Sequence, residues 1–361
     1  MRHWRWLVVL GGVAALCSLP VVVALRPVPA SDISTSDLVA EVAASASVPF
    51  EGLYQSRGGL RLPDLGRFDD EIAPFTQTSR VRVWYGGADR WRSDELLIGA
   101  ERSVYRQPDG VWLWDSGTRR VVWSPREGDE PMRIPRLMDL SPAEIGRRLL
   151  LAVDGDTVER IHDRWVAGHA SVGLRIVPEP GTSTIETADL WVDPDHGVVT
   201  AVELHTGGTA PAFETAFADL TFRTPSLDVM QFDPEPTGEP VRTSASLDPV
   251  ETVSTLSIIP LPRELAGLPR RNDPDAGIAT YGDGLAVVNL FALPQGSLGR
   301  GVNRLPRTER PWGGEAIVVS TSLVNVQVVT VAGFDVVLSG TVPLAELDRV
   351  AGEVVDQGGI L

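Results

Sequence analysis

Groups able to carry out chemistry are few in this sequence, and lysine is absent from it altogether. That removes the phosphate-gripping lysine of nucleotide loops, Schiff-base formation and any Ser-x-x-Lys nucleophile together. Ser297, in Gly296-Ser-Leu-Gly-Arg-Gly301, lacks the strand-to-helix elbow of a hydrolase serine, and no histidine beyond His205 is there to serve as its base. His162, His169, His196 and His205 match no metal-ligand spacing, and Asp193-Pro-Asp-His-Gly197 is what a tight turn between strands requires. Asp273-Pro-Asp-Ala-Gly277 falls short of a calcium loop, which needs further oxygen ligands and a closing Glu. Asp69, Asp70 and Glu71 sit in a Gly- and Pro-flanked stretch that reads as a solvated loop rather than an acid/base pair. Gly282-x-Gly284 has no third glycine at dinucleotide spacing and precedes a strand. The expectation is a protein that binds rather than catalyses, with no catalytic residue, metal or cofactor.

Tryptophan is where the sequence is rich. Trp84, Trp91, Trp112, Trp114, Trp123, Trp165 and Trp191 crowd the first two thirds of the chain, and Trp112 and Trp114, two apart in a strand, share a face. Large aromatics suit the wall of a mostly apolar concave pocket. Trp84, Trp91, Trp112, Trp114 and Trp123 are therefore the candidate ligand-cavity residues, and filling a core under a sheet is the alternative use of the same side chains.

The elements that must carry them are mostly strands. Ser34-x-x-Asp37 opens a short amphipathic helix with Leu38, Val39 and Val42 on one face. Arg80-Val-Arg-Val-Trp-Tyr85 alternates Val81, Val83 and Tyr85 against Arg80, Arg82 and Trp84. Gly86-Gly87, Pro108-Asp109-Gly110 and Asp115-Ser-Gly-Thr118 then punctuate a meander of hairpins. Ser141-Pro-Ala-Glu144 is a capping box with proline at the first helical position, which predicts a helix to about Val153. Strands are expected again at 158–166, 169–177, 184–192, 198–205 and 213–222. Residues 224–250 hold Pro225, Pro234, Pro236, Pro240 and Pro249 without a sustained period, as a linker or extended crossing segment would. Beyond it a hairpin turning at Gly282-Asp283, three strands between Ala316 and Leu338, and a helix over 343–355 predict a small α+β module.

Bulk properties agree. A chain of 361 residues, 43% apolar and 22% charged, can bury a full core and divides into two domains after its leader. Its net charge of −16 argues against a nucleic-acid partner, which needs a basic surface. Heavy Arg, Ala, Val and Gly with no Lys points to a GC-rich genome such as an actinobacterial one. Arg2 and Arg5 precede an apolar run from Leu7 to Leu25, followed by Val28-Pro29-Ala30 in the pattern a signal peptidase reads. The run is also long enough to span a bilayer if left uncleaved, with the body outside in both cases. Cys17 lies inside it, so a chain cut after Ala30 has no cysteine for disulfides or thiolate metal sites. The expected boundaries are 1–30 signal peptide or N-terminal anchor, 31–223 first domain, 224–250 linker and 251–361 second domain.

Val48-Pro-Phe-Glu-Gly52, Arg80-Val-Arg-Val-Trp-Tyr85, Asp89-Arg-Trp-Arg92 and Val111-Trp-Leu-Trp-Asp115 follow one another in an order that resembles the extracytoplasmic LolA-like and MucB/RseB-like proteins. The resemblance covers about residues 35–223. Thr280-Tyr-Gly-Asp-Gly-Leu285 before an apolar strand is similar to a segment of the smaller C-terminal domain found in RseB-like proteins. What it implies is an α+β, mainly antiparallel fold: a half-open, curved β-sheet enclosing helices, with a cavity for acyl chains or lipidated partners. Three functions are compatible: an RseB-like sensor whose second domain engages a membrane-anchored partner such as an anti-sigma factor, a LolA-like carrier of lipids or lipoproteins, and an envelope module binding sugar or peptide. None of the motifs names a reacting group.

Overall fold

The computed structural model describes Trp6 and residues 27–60, 75–125, 137–234, 238–239, 241–243, 261–271 and 278–357. The apolar leader run with Cys17, the acids Asp69–Glu71 and the segment Asp273–Gly277 fall outside them. Among the described residues no helix is long and apolar enough to cross a membrane.

Alternating side chains and Gly-bearing turns build one large, curved, mainly antiparallel sheet from two meanders. The first comprises β1 (Phe50–Gly58), β2 (Thr78–Tyr85), β3 (Trp91–Leu97), β4 (Ala100–Gln107), β5 (Gly110–Asp115) and β6 (Arg120–Pro125). The second comprises β7 (Thr157–Val166), β8 (His169–Val177), β9 (Thr187–Asp193), β10 (Val198–His205) and β11 (Phe213–Thr221). They join where β1 pairs antiparallel with β11. A twelfth strand, β12 (Val241–Thr243), adds to the outer edge of β6 in parallel, giving the order β12-β6-β5-β4-β3-β2-β1-β11-β10-β9-β8-β7. Part of the proline-rich stretch is thus a crossing segment that ends in the sheet.

Helices cover one face, called inner below. Ser34 caps α1 (Thr35–Ala44), its Oγ accepting from the Asp37 amide, and Ser141 caps α2 (Pro142–Leu151) by the same contact to Glu144. Leu38, Val42 and Leu150 are the buried helix residues that meet Leu174, Ile176, Leu190 and Val199 of the sheet. Gly146 lets α2 approach β10, because a Cβ there would lie 2.4 Å from Val199 Cγ1.

After a short hairpin of β13 (Glu264–Leu265) and β14 (Leu268–Pro269), the smaller C-terminal sheet runs β15 (Ala279–Asp283), β16 (Ala286–Pro294), β20 (Phe334–Gly340), β19 (Asn325–Val331), β18 (Glu315–Ser320), β17 (Arg307–Glu309). The terminal helix over Leu344–Asp356 packs on it through Leu347, Val350, Ala351 and Val354. The first hairpin turns at Gly284-Leu285, two residues later than the sequence predicts. Gly282 stays within β15 at φ +96°, while Leu285, only 4% exposed, is drawn into the core of the large sheet.

That burial docks the two sheets. Leu285 and Leu323 join the large core, Thr184 Oγ1 donates to the Leu323 carbonyl at 2.6 Å, and the Leu285 amide donates to Asp156 Oδ2 at 2.8 Å. Burial holds the Asp156 carboxyl above its ordinary value of 3.8, outweighing the Leu285 amide and Arg271 that pull it down. A folded pKa raised in this way gives stability present below the ordinary value and lost as pH rises through the folded one. Asp156→Asn is therefore expected to be more stable than wild type at pH 7, with the gap closing as pH falls below 4, read from urea midpoints at both pH values.

Candidate functional site

The register divides the five candidate tryptophans between the two faces of β2–β6. Trp91 lies opposite Tyr85 on the inner face, 7% exposed, in a cluster with Phe50, Tyr54, Val83, Met138 and Phe217. Tyr54 Oη donates to the Leu137 carbonyl, and Tyr85 Oη to that of Ala46 at 2.6 Å, so buried hydroxyls tie this cluster to the helical layer. Burial, with the Glu144 charge nearby, pushes the Tyr85 hydroxyl up to about 12. The same face continues onto β4 and β5 through half-buried Val104 and Leu113, which lie opposite Ser93 and Val122. Among the described helices α2 packs chiefly on β10, and Val111 and Val122, which extend this face beside Leu113, are 3% and 2% exposed.

Trp84, Trp112, Trp114 and Trp123 point outward. Cross-strand pairs align Trp84, Arg92, Tyr105, Trp112 and Trp123 in one row, with Trp114 in the next beside Ser103 and Val121. The Arg92 guanidinium lies 4.8 Å from the ring centres of both Trp84 and Tyr105 and is fixed by Asp94 at 2.6 Å. Burial pushes the Tyr105 hydroxyl up to about 12, against the opposing pull of Arg92.

This row is covered by the chain itself. After β11 the backbone makes a one-turn helix, Leu227–Met230, whose Val229 carbonyl accepts from Arg92 at 3.4 Å. Phe232 then lies 5.0 Å from Tyr105 and 5.3 Å from Trp112, ring centre to ring centre. Phe232 and the buried Met230 belong to this cover, and the sequence reading missed both. The proline-rich context hides them, although an isolated Met and Phe among prolines and acids is a signal that could have been used.

No protein-family model matches the chain, and no curated protein matches it in sequence. In solved structures, the Pseudomonas aeruginosa MucA/MucB complex contains a chain similar over 88% of this one and 96% of its own length, at 18% identity and TM-score 0.48. The Mycobacterium tuberculosis lipoprotein LppX matches 51% of this chain and 95% of its own, at 12% identity and TM-score 0.27. A LolA superfamily protein from Nitrosomonas europaea matches 55% and 98%, at 8% identity and TM-score 0.26.

Other groups weighed in the sequence have structural partners in this fold. Asp193 accepts from His169 Nδ1 at 3.0 Å, from His196 Nδ1 at 2.9 Å and from two amides of its own turn, while the Phe222 ring stacks on His196. His162 and His205 stand apart from that pair, and no group of metal-holding side chains is found among the described residues. Trp165 donates to the Pro27 carbonyl at 3.3 Å, and Trp191 is fully buried under Arg164. A groove of about 240 Å³ on the outer face is lined by Gln55, Arg57, Arg164, Glu203, Glu214 and Ala216. Its charges are already matched, Arg57 to Glu214 at 2.9 Å and Arg164 to Glu203 at 2.7 Å.

Proposed function

We propose that this chain is a non-enzymatic, extracytoplasmic binding protein that takes the acyl chain of a lipid or lipidated protein on the inner face of its open sheet. The observation that carries the reading is the run of apolar side chains that extends this face from Trp91 onto β4 and β5 through Val104 and Leu113. An acyl chain laid there removes apolar surface from water at about 25 cal/mol per Å² and needs no reacting group. Of the five candidate tryptophans, Trp91 belongs to this site; the other four serve the opposite face.

Within this class the sensor is the preferred role, with a membrane-anchored anti-sigma factor as partner of the second domain. Supporting it is the joint between the sheets, where Leu285, Leu323, Thr184 and Asp156 link a ligand-bearing sheet to a second body. A LolA-like carrier needs only the first sheet.

The test is native mass spectrometry with lipid extraction on the chain produced by export. An acyl lipid is expected to co-purify with wild type and with Trp114→Arg, which alters the outer face, and to be lost in Leu113→Arg, which puts a charge on the inner one. A clean apo mass with no lipid uptake on incubation would overturn the reading. Capture of a membrane-anchored regulator by the lipid-free or lipid-loaded form alone would separate sensor from carrier.

A further inference from the structure

The outer face carries a second site that does not depend on the inner one. Its floor is the row Trp84, Arg92, Tyr105, Trp112 and Trp123, and its far wall is the edge of β6. The described residues between 225 and 243 cover it as a strap with four attachments: the Val229 carbonyl sits on Arg92, the Phe232 ring on Tyr105 and Trp112, Glu239 on Arg119, and β12 on β6.

The strap is held to the sheet by few regular backbone hydrogen bonds. Its strand is three residues long and parallel, the weaker pairing mode. Its helix is a single turn with Leu227 59% exposed. Prolines at 225, 234, 236 and 240 withhold amide donors along its length. Two buried donors of the floor, Trp123 Nε1 and Gln107 Nε2, have no acceptor with the strap in place, and alternation puts Gln107 on the face of Tyr105. Carbonyls of an extended peptide are the acceptors such donors take.

We propose that this stripe is a peptide-binding groove, filled in cis by residues 225–243 and opened in trans by an acidic, extended segment of a partner protein. The partner segment carries an aromatic residue ahead of a short strand: the ring replaces Phe232 against Tyr105 and Trp112, and the strand replaces β12 on β6. Acidic character follows from the strap itself: Glu239 pairs with Arg119, and Asp228, Asp233 and Glu235 belong to the same stretch of sequence. A tethered occupant competes at an effective concentration in the millimolar range, so release of the strap is what exposes the site.

The probe is a fluorophore-labelled peptide of residues 225–243, titrated into the full chain and followed by anisotropy. Phe232→Ala is expected to bind it about 10-fold or more tightly than wild type does, and a peptide with alanine in place of its Phe is expected to bind about 10-fold more weakly. Equal binding by wild type and Phe232→Ala, indifference to the peptide's Phe, or a strap-swapped dimer that takes up no peptide would each overturn the proposal. Amide exchange on wild type gives a reading free of variants. Val241–Thr243 are expected to exchange much faster than β1 and β2; exchange at the rate of those central strands would make the strap a permanent part of the sheet and overturn displacement.

Discussion

Trp191→Ala lowers the unfolding free energy by about 3–5 kcal/mol, the range for a large aromatic truncated in a packed core. Trp191 is 1% exposed, donates its indole N–H to the His162 carbonyl at 3.0 Å, and carries the Arg164 guanidinium 3.4 Å over its ring. Gly173 opposite has no side chain, since a Cβ there would meet the His162 carbonyl oxygen at 2.4 Å. Truncation therefore opens a void beside the β7 bulge, deprives the His162 carbonyl of its indole donor and strips the arginine of its aromatic face. Urea unfolding followed by far-UV circular dichroism measures it, and Trp191→Phe, which keeps most of the ring but loses the donor, should cost about 1–3 kcal/mol. A loss below about 1 kcal/mol for the alanine variant would show that the site collapses around the void.

Gly146→Ala is the second large effect, with the opposite cause. A Cβ at 2.4–2.7 Å from three atoms of Val199 cannot be accommodated unless α2 lifts from β10. Overpacking of this kind costs about 1–3 kcal/mol. The same contact makes the effect separable: in Val199→Gly all three crowding atoms are gone, so adding Gly146→Ala should then cost little, and the double-mutant cycle should show coupling of about 1 kcal/mol or more. Additive losses would place the cause in the helix itself, although alanine is the better helix former there.

What could be read beforehand depended on how local the determining contact is. The caps at Ser34 and Ser141, the alternation in β2 and the hairpins bearing Trp91, Trp112 and Trp123 are set by neighbours within a few residues, and they appear where the sequence places them. The division of the tryptophans is half local. Alternation puts Trp112 with Trp114, but setting Trp84 apart from Trp91 takes the register across a turn. The late turn at Gly284 is decided by Leu285 seeking the core of another sheet, which no turn propensity contains. The strap lies further out of reach, because Phe232 and β12 acquire meaning only against Tyr105, Trp112 and β6, more than a hundred residues earlier.

The seam between β1 and β11 has a consequence for how the chain reaches this structure. Each meander can assemble as it is made, but Gly52 meets Leu220 across about 170 residues, so the seam is the slow, high-contact-order step of folding. A chain that emerges N-terminus first holds one edge of β1 unpaired until Phe213–Thr221 has followed, and that interval is when stray strands can add to it. The kinetic hazard of this protein thus sits at the middle of the finished sheet rather than at either of its ends.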